Sequence, residues 1–231
     1  MSSHRSLHPH HQPTLCYVTD RRAVSASGSQ GVVEKIRTAA EVGADWIQIR
    51  EKDLPARELF RLTQGAVGIA EEAAGRPRII INDRLDIAVA AGAAGVHLGG
   101  ESIAVSEAVQ WRRSGNAPPE FLIGVSCHRL EEGLEAERAG ASYVFFGPVY
   151  DTPSKRTFGP AQGIARLTDV CRAVRIPVIA IGGLTEENAP EALKAGAAGI
   201  AAIRLFQESK DGASLKQSVE RLHRISLESI R

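Results

Sequence analysis

Cysteine is scarce in this 231-residue chain. There are three, Cys16, Cys127 and Cys171, and they share no metal-type spacing. That excludes a disulfide framework and fits a reducing, cytoplasmic setting. Charge of one sign is equally short: 28 Lys and Arg against 27 Asp and Glu leave a formal +1. No electrostatic footprint for nucleic acid or an anionic membrane follows from that balance. No apolar run approaches the ~20 residues of a membrane span. Linker-like stretches are absent too, so one domain is expected.

With 43% apolar residues the chain can bury a sizeable core, and its charged content is that of an ordinary folded domain. The N-terminal "MSSHRSLHPHHQP" holds four of the seven histidines, His4, His8, His10 and His11. A metal site is one reading. The reading adopted is a flexible tail over residues 1–13, because no apolar residue anchors the segment. It also lacks the apolar stretch of a signal peptide.

What the chain does contain is a repeat. "GADWIQIR" starts at Gly43, "GAAGVHLG" at Gly92, "GASYVFFG" at Gly140 and "GAAGIAAI" at Gly196. Each follows a helix-patterned stretch, and each glycine suits the left-handed turn that ends a helix. An Ala-rich link then enters an apolar run of strand length. Between the copies lie "LCYVTD" (15–20), "RIIIND" (78–83), "FLIGVS" (121–126) and "IPVIAIGG" (176–183). Eight short strands therefore alternate with helical stretches such as 55–74, 129–139 and 186–195. The expected fold is a single (β/α)8 TIM barrel over residues 14–231, with a doubly wound open sheet as the alternative.

A barrel of this kind carries its chemistry at the C-terminal ends of its strands. The second strand ends "IQIREK", where alternation puts Gln48 and Arg50 on one side with Lys52 just beyond. Polar groups facing a barrel interior are costly without a ligand or partner, and an internal salt bridge to Asp83 is the competing explanation. The third strand ends "IIINDRLD". Asn82 and Asp83 leave the apolar run together; Asp83 either caps the next helix or ligates Mg²⁺. Asp86 reads as a first-turn acid on the helix dipole. In "VHLGGES" His97 reads as a core histidine, and Ser102 as the helix N-cap before "IAVSEAVQ". In "IGVSCHR" Ser126 and His128 share a side, suiting an anion-binding hydroxyl with a titratable group beside it. Cys127 faces the other way.

"FFGPVYDTPSKRTFGP" (145–160) follows the sixth strand with hydroxyls and cations crowded beside turn residues. "AIGGLTEEN" follows the seventh, its consecutive Gly182 and Gly183 allowing backbone amides close to a phosphate as they open into a helix. "AAIRLF" places Ile203 and Arg204 beside that loop. Two anion sites are expected: one at the seventh and eighth strands, the other combining Thr152, Ser154, Lys155, Ser126, Arg50 and Lys52. The second holds more cationic charge than a monophosphate requires, which suggests a diphosphate with Mg²⁺ at Asp83.

The series "YVTD", "IQIREKDL", "INDRLDIA", "GVHLG", "IGVSCH", "GPVYDTPSK", "VIAIGG" and "AGAAGIA" resembles the thiamine-phosphate synthase and thiazole tautomerase superfamily. The resemblance implies a (β/α)8 barrel. In the synthase branch it implies that a hydroxymethylpyrimidine diphosphate loses pyrophosphate as a thiazole phosphate nitrogen attacks the pyrimidine methylene. It further implies that Gln48, Arg50, Lys52 and Asn82 hold the pyrimidine diphosphate and that Asp83 ligates Mg²⁺. Ser126, Thr152, Ser154 and Lys155 match the pyrophosphate set, with Ser154 standing where a second Thr is usual. Gly182, Gly183, Ile203 and Arg204 match the thiazole-phosphate region, with Arg204 where Ser is usual. After the fourth strand the family pattern Gly-Gln-x-Asp is replaced by Gly99, Gly100, Glu101 and Ser102. Ser102 thus stands for the second metal carboxylate, and Glu101 substitutes only if the loop shifts by a residue. In the tautomerase branch the acid/base is a His matching His128. The retained Lys52, Asn82, Asp83 and Lys155 favour the synthase; the catalytic trio implied is Lys155, Ser126 and His128. A precursor-binding barrel without activity is the third reading. The partners implied are small-molecule substrates, with no nucleic acid and no membrane, and a homo-oligomer is compatible with the sequence.

Overall fold

A computed structural model describes residues 12–24, 28–151 and 160–225. Eight parallel strands close into a barrel in chain order. They are β1 (Thr14–Val18), β2 (Trp46–Ile49), β3 (Arg78–Asn82), β4 (Gly95–Leu98), β5 (Leu122–Cys127), β6 (Tyr143–Phe146), β7 (Val178–Ile181) and β8 (Gly199–Ala202). Closure comes from β1 against β8, Thr14 opposite Gly199 and Cys16 opposite Ala201. The helices are α1 (Gly28–Glu41), α2 (Ala56–Glu72), α3 (Leu85–Ala90), α4 (Val105–Trp111), α5 (Leu130–Ala139), α6 (Gly163–Ala173), α7 (Ala189–Lys194), α8 (Arg204–Gln207) and α9 (Gly212–His223).

The repeat has a geometric cause. Gly43, Gly92, Gly140 and Gly196 all take positive φ, and β2, β4, β6 and β8 each start three residues later. A glycine ends the helix, and the Ala-rich link turns the chain into the sheet. Each strand then sends alternate side chains to two separate apolar layers. Leu15, Tyr17, Ile47, Ile49, Val144 and Phe146 pack under the helices. Cys16, Val18, Trp46, Ile80, Leu122, Tyr143, Phe145, Ile179 and Ala201 fill the barrel. The filling is tight. A Cβ added to Gly124 would lie 2.1 Å from the Tyr143 ring, so only glycine on β5 lets that ring cross the interior.

Two boundaries differ from expectation. The helix after β4 is capped at Ala104, whose amide donates to Glu107 at 3.2 Å, and not at Ser102. The Gly182–Gly183 pair does not open into a helix: a turn in which Asn188 Oδ1 accepts from the Thr185 amide at 2.8 Å intervenes before α7.

Candidate active site

The register fixes which polar side chains enter the barrel, because residues paired across parallel strands point the same way. Gln48 pairs with Ile80, an interior residue, so Gln48 is interior as expected. It is 2% exposed, and its side-chain nitrogen has no hydrogen-bond partner among the described residues. Buried amide donors are ordinarily satisfied, so this one is an exception in the barrel interior. Asn82 pairs with His97, and His97 with Gly124; Ser126 pairs with Phe145. All of these side chains occupy the C-terminal half of the barrel.

Arg50 follows β2, half-buried, its amide donating to the Thr19 hydroxyl at 3.0 Å. Lys52 is exposed beyond it. Among the described residues Arg50 makes no ion pair with Asp83, so the salt-bridge explanation of these cations does not hold. Asp83 is exposed with φ 69, a left-handed conformation that Asp tolerates better than most residues. Its amide donates to the His97 carbonyl at 2.8 Å. Its carboxylate caps no helix, since α3 has Arg84 in the cap position and no side chain bonds the first-turn amides there. Asp86 lies in the first turn as expected and is paired with Arg84 at 2.6 Å.

Ser126 does meet an imidazole, but it is that of His97, at 2.9 Å from Nε2. The other ring nitrogen lies 3.2 Å from the Tyr143 hydroxyl. Burial holds the Tyr143 phenol well above its ordinary pKa, so it stays protonated. A buried hydroxyl needs an acceptor. Tyr143 therefore donates to Nδ1, and the tautomer assigned from that balance has Nε2–H donating to the Ser126 oxygen. The Ser126 proton is left to point elsewhere. His97 is thus the core histidine expected, but one that orients a mouth hydroxyl. The signal available for this was parity alone: His97 stands two residues before Gly99 on a strand next to β5. His128 is exposed and bound through Nδ1 to the Gly147 carbonyl at 2.5 Å. A carbonyl only accepts, so Nδ1 carries the proton and Nε2 of the neutral ring is an acceptor. Cys127 packs outside the barrel, its thiol pushed up to about 12 by burial.

Beyond the strand ends, the chain after β6 runs beside the chain after β7. The Val149 amide donates to the Ile181 carbonyl at 2.9 Å and the Tyr150 amide to Gly182 at 3.0 Å. Gly182 (φ 97) and Gly183 (φ 66) are left-handed. Neither of their amides donates to a described residue, which leaves two adjacent donors at the mouth. Ile203 is half-buried, whereas Arg204 is 52% exposed and paired with Glu208 at 3.5 Å. Ser102 Oγ accepts from the Gly99 amide at 2.8 Å, so it closes a turn, and Glu101 is exposed. Thr152, Ser154 and Lys155 lie outside the described residues. Among the described residues no three His, Cys, Asp or Glu side chains gather as a metal cluster, and no helix is long and apolar enough to cross a membrane.

In chain order around the rim, then, come an amide and two cations, an amide and a carboxylate, a hydroxyl with an imidazole, and the paired glycines. A model of the family described as thiamine monophosphate synthase matches residues 15–206, from β1 to α8. The chain belongs to that family. A putative thiamine-phosphate synthase of Geobacter sulfurreducens is 43% identical over 190 residues, covering 82% of this chain and 84% of that one. A thiamine-phosphate synthase of Roseiflexus castenholzii is 41% identical over 186 residues, covering 80% and 77%. Among solved structures, thiamine phosphate pyrophosphorylase from Pyrococcus furiosus superposes with a TM-score of 0.75 at 34% identity, covering 92% of this chain and 98% of that one. The match of the thiamine monophosphate synthase family thus reaches from β1 through β8 and takes in the polar residues at the strand ends.

Proposed function

We propose that the protein is a thiamine-phosphate synthase, joining a hydroxymethylpyrimidine diphosphate to a hydroxyethylthiazole phosphate, or its carboxylated form, with release of pyrophosphate. The observation that carries this reading is the family match over residues 15–206, supported by the polar groups that the strand ends of the barrel present at its mouth. In this reading Gln48 and Asn82 meet the pyrimidine, the buried Gln48 nitrogen gaining its missing acceptor. Arg50 and Lys52 hold the diphosphate together with Ser126, Thr152, Ser154 and Lys155. Gly182 and Gly183 present amides to the thiazole phosphate beside Ile203 and Arg204.

The chemistry breaks the bond between the pyrimidine methylene carbon and the diphosphate oxygen, and the thiazole nitrogen supplies the electron pair of the new C–N bond. Negative charge grows on the departing pyrophosphate. Lys155, Arg50 and the Ser126 hydroxyl, its proton released by the His97 bond, stabilise that charge electrostatically. His128 presents an Nε2 acceptor at the same rim.

Mg²⁺ is the cofactor of this reading. The donor set is one carboxylate, Asp83, with Glu101 in the next loop and the Ser102 hydroxyl already engaged by Gly99. Such a set suits an ion bound jointly by one protein carboxylate and substrate phosphate oxygens. The ion supplies charge neutralisation of the diphosphate. We place the protein in the cytoplasm and treat residues 14–231 as one functional unit.

The test is direct. Both substrates with Mg²⁺ should yield thiamine phosphate and one pyrophosphate per turnover; neither product forming would sink the reading. The thiazole tautomerase alternative draws on the turn-bound Ser102 and the accepting Nε2 of His128. It predicts a chelator-insensitive aromatisation of carboxythiazole phosphate that His128→Ala abolishes.

A further inference from the structure

The exits of β1 and β2 are joined by a buried carboxylate to which none of the roles above falls. Glu51 is 4% exposed, and alternation turns it away from its neighbours Arg50 and Lys52. One of its oxygens accepts from the Thr19 hydroxyl at 2.7 Å. The Arg21 amide donates to both oxygens at 3.1 and 3.2 Å, and the Arg21 guanidinium reaches the second at 3.3 Å. Thr19 accepts in turn from the Arg50 amide at 3.0 Å. Arg21 then carries the network outward, forking onto Asp53 at 2.5 and 2.6 Å, with Arg22 adding a bond of 2.7 Å to the same carboxylate.

Residues 50, 51 and 53 are thereby tied to β1 through side chains, in addition to the bond from the Thr19 amide to the Gln48 carbonyl at 2.9 Å. A carboxylate is costly to bury unless donors surround it, and here they do. Its location has a consequence for the cations. Arg50 and Lys52 flank Glu51 in the chain on the opposite side, so the network that anchors Glu51 also fixes the backbone from which both cations project. Their long side chains also gain direction from a backbone hydrogen-bonded to the exit of β1.

We propose that Glu51, with Thr19 and Arg21, is a positioning residue that holds Arg50 and Lys52 in register for the diphosphate. The inference rests on the assignment of those two cations to the diphosphate. Without the brace the chain still folds as a barrel, but the cationic pair loses its fixed geometry. Binding of the diphosphate is therefore weakened, while Gly182 and Gly183, which take no part in the network, still present their amides to the thiazole phosphate.

The experiment is calorimetric titration of inorganic pyrophosphate, in the presence of Mg²⁺, into wild type and Glu51→Gln, with steady-state kinetics on both substrates alongside. Glu51→Gln should weaken pyrophosphate binding and raise KM for the pyrimidine diphosphate, each on the order of tenfold, the scale on which outer partners of binding groups act. KM for the thiazole phosphate should stay within about twofold, while kcat falls as well, because Arg50 also stabilises the charge on the departing pyrophosphate. Asp53→Asn, at the exposed end of the network, should shift the same two quantities in the same direction by less, and it serves if Glu51→Gln fails to fold. Variants that melt earlier yet bind pyrophosphate as wild type does would make Glu51 a structural residue only and overturn the inference. A wild type that neither binds nor releases pyrophosphate overturns the synthase reading, and the inference with it.

Discussion

Replacing Gly183 by alanine isolates what the contact between the loops after β6 and β7 contributes. The residue has φ 66, and a Cβ there would lie 2.7 Å from the Tyr150 Cβ, 2.8 Å from the Asp151 carbonyl oxygen and 2.9 Å from the Tyr150 carbonyl carbon. Two costs add. Left-handed backbone costs a side-chain-bearing residue about 1–2 kcal/mol, and forcing a methyl into a filled contact costs about 1–3 kcal/mol more. For a chain of 231 residues, the sum of about 2–5 kcal/mol corresponds to a melting temperature lower by roughly 4–20 °C. Gly92→Ala separates the two costs. Its φ is 73, but nothing lies within 4 Å of the added methyl, so backbone strain of about 1–2 kcal/mol acts alone. The assay is thermal denaturation of both variants beside wild type, with KM measured for each substrate. Gly183→Ala should melt below Gly92→Ala and raise KM for the thiazole phosphate, because the methyl displaces a backbone whose amide faces the mouth; Gly92→Ala should leave KM alone. Equal melting temperatures for the two variants, or an unchanged KM in Gly183→Ala, would refute the reasoning.

Three further outcomes are expected. Ser102→Asp keeps an acceptor for the Gly99 amide and adds a carboxylate in the loop after β4, the strand beside the one that Asp83 follows, so the Mg²⁺ concentration for half-maximal activity should fall about tenfold; an unchanged requirement would remove the site from that loop. Cys127 and Cys171 have thiols pushed up to about 12 by burial, so iodoacetamide at neutral pH should label them only after unfolding in urea, and rapid labelling of the native protein would contradict their packing. The Arg21 guanidinium beside Asp53 holds that carboxyl far below its ordinary value of 3.8. A depressed pKa stabilises the fold above the unfolded value and is lost as pH falls toward the folded one. Asp53→Asn should therefore melt below wild type at pH 7, with the gap closing below about pH 4; a gap that persists in acid would mean the charge pair is not its source.

Parity made much of the site legible. Gln48, Asn82 and Ser126 lie on the interior face because a strand alternates and the apolar residues between them face the helices, a pattern written in "IQI", "IIIN" and "IGVS". Parity also hid two things. Glu51 falls on the outward side, so nothing in "IREK" distinguishes it from an ordinary surface acid; only the β1–β2 pairing brings Thr19 and Arg21 to it. His97 looked like a core residue because it is one, and its bond to Ser126 spans 29 positions of sequence. The caps at Ala104 and Asn188 depart from the sequence pattern for a local reason. Ser102 and Thr185 are good capping residues whose hydroxyl or amide is taken by a turn before the helix begins.

The sequence by itself determined the barrel and the face each strand turns inward. Helix-ending glycines at a regular spacing, followed by apolar runs of strand length, leave little else for the chain to form. Tertiary structure decided which of the inward groups work together. A hydroxyl becomes a free donor, and a pair of cations acquires a brace, only when strands distant in sequence lie 4.7–4.9 Å apart, about the spacing of any sheet. Hydrogen bonds reach no farther than 3.5 Å or so, and no pattern along a single strand records what its neighbour will bring within that distance.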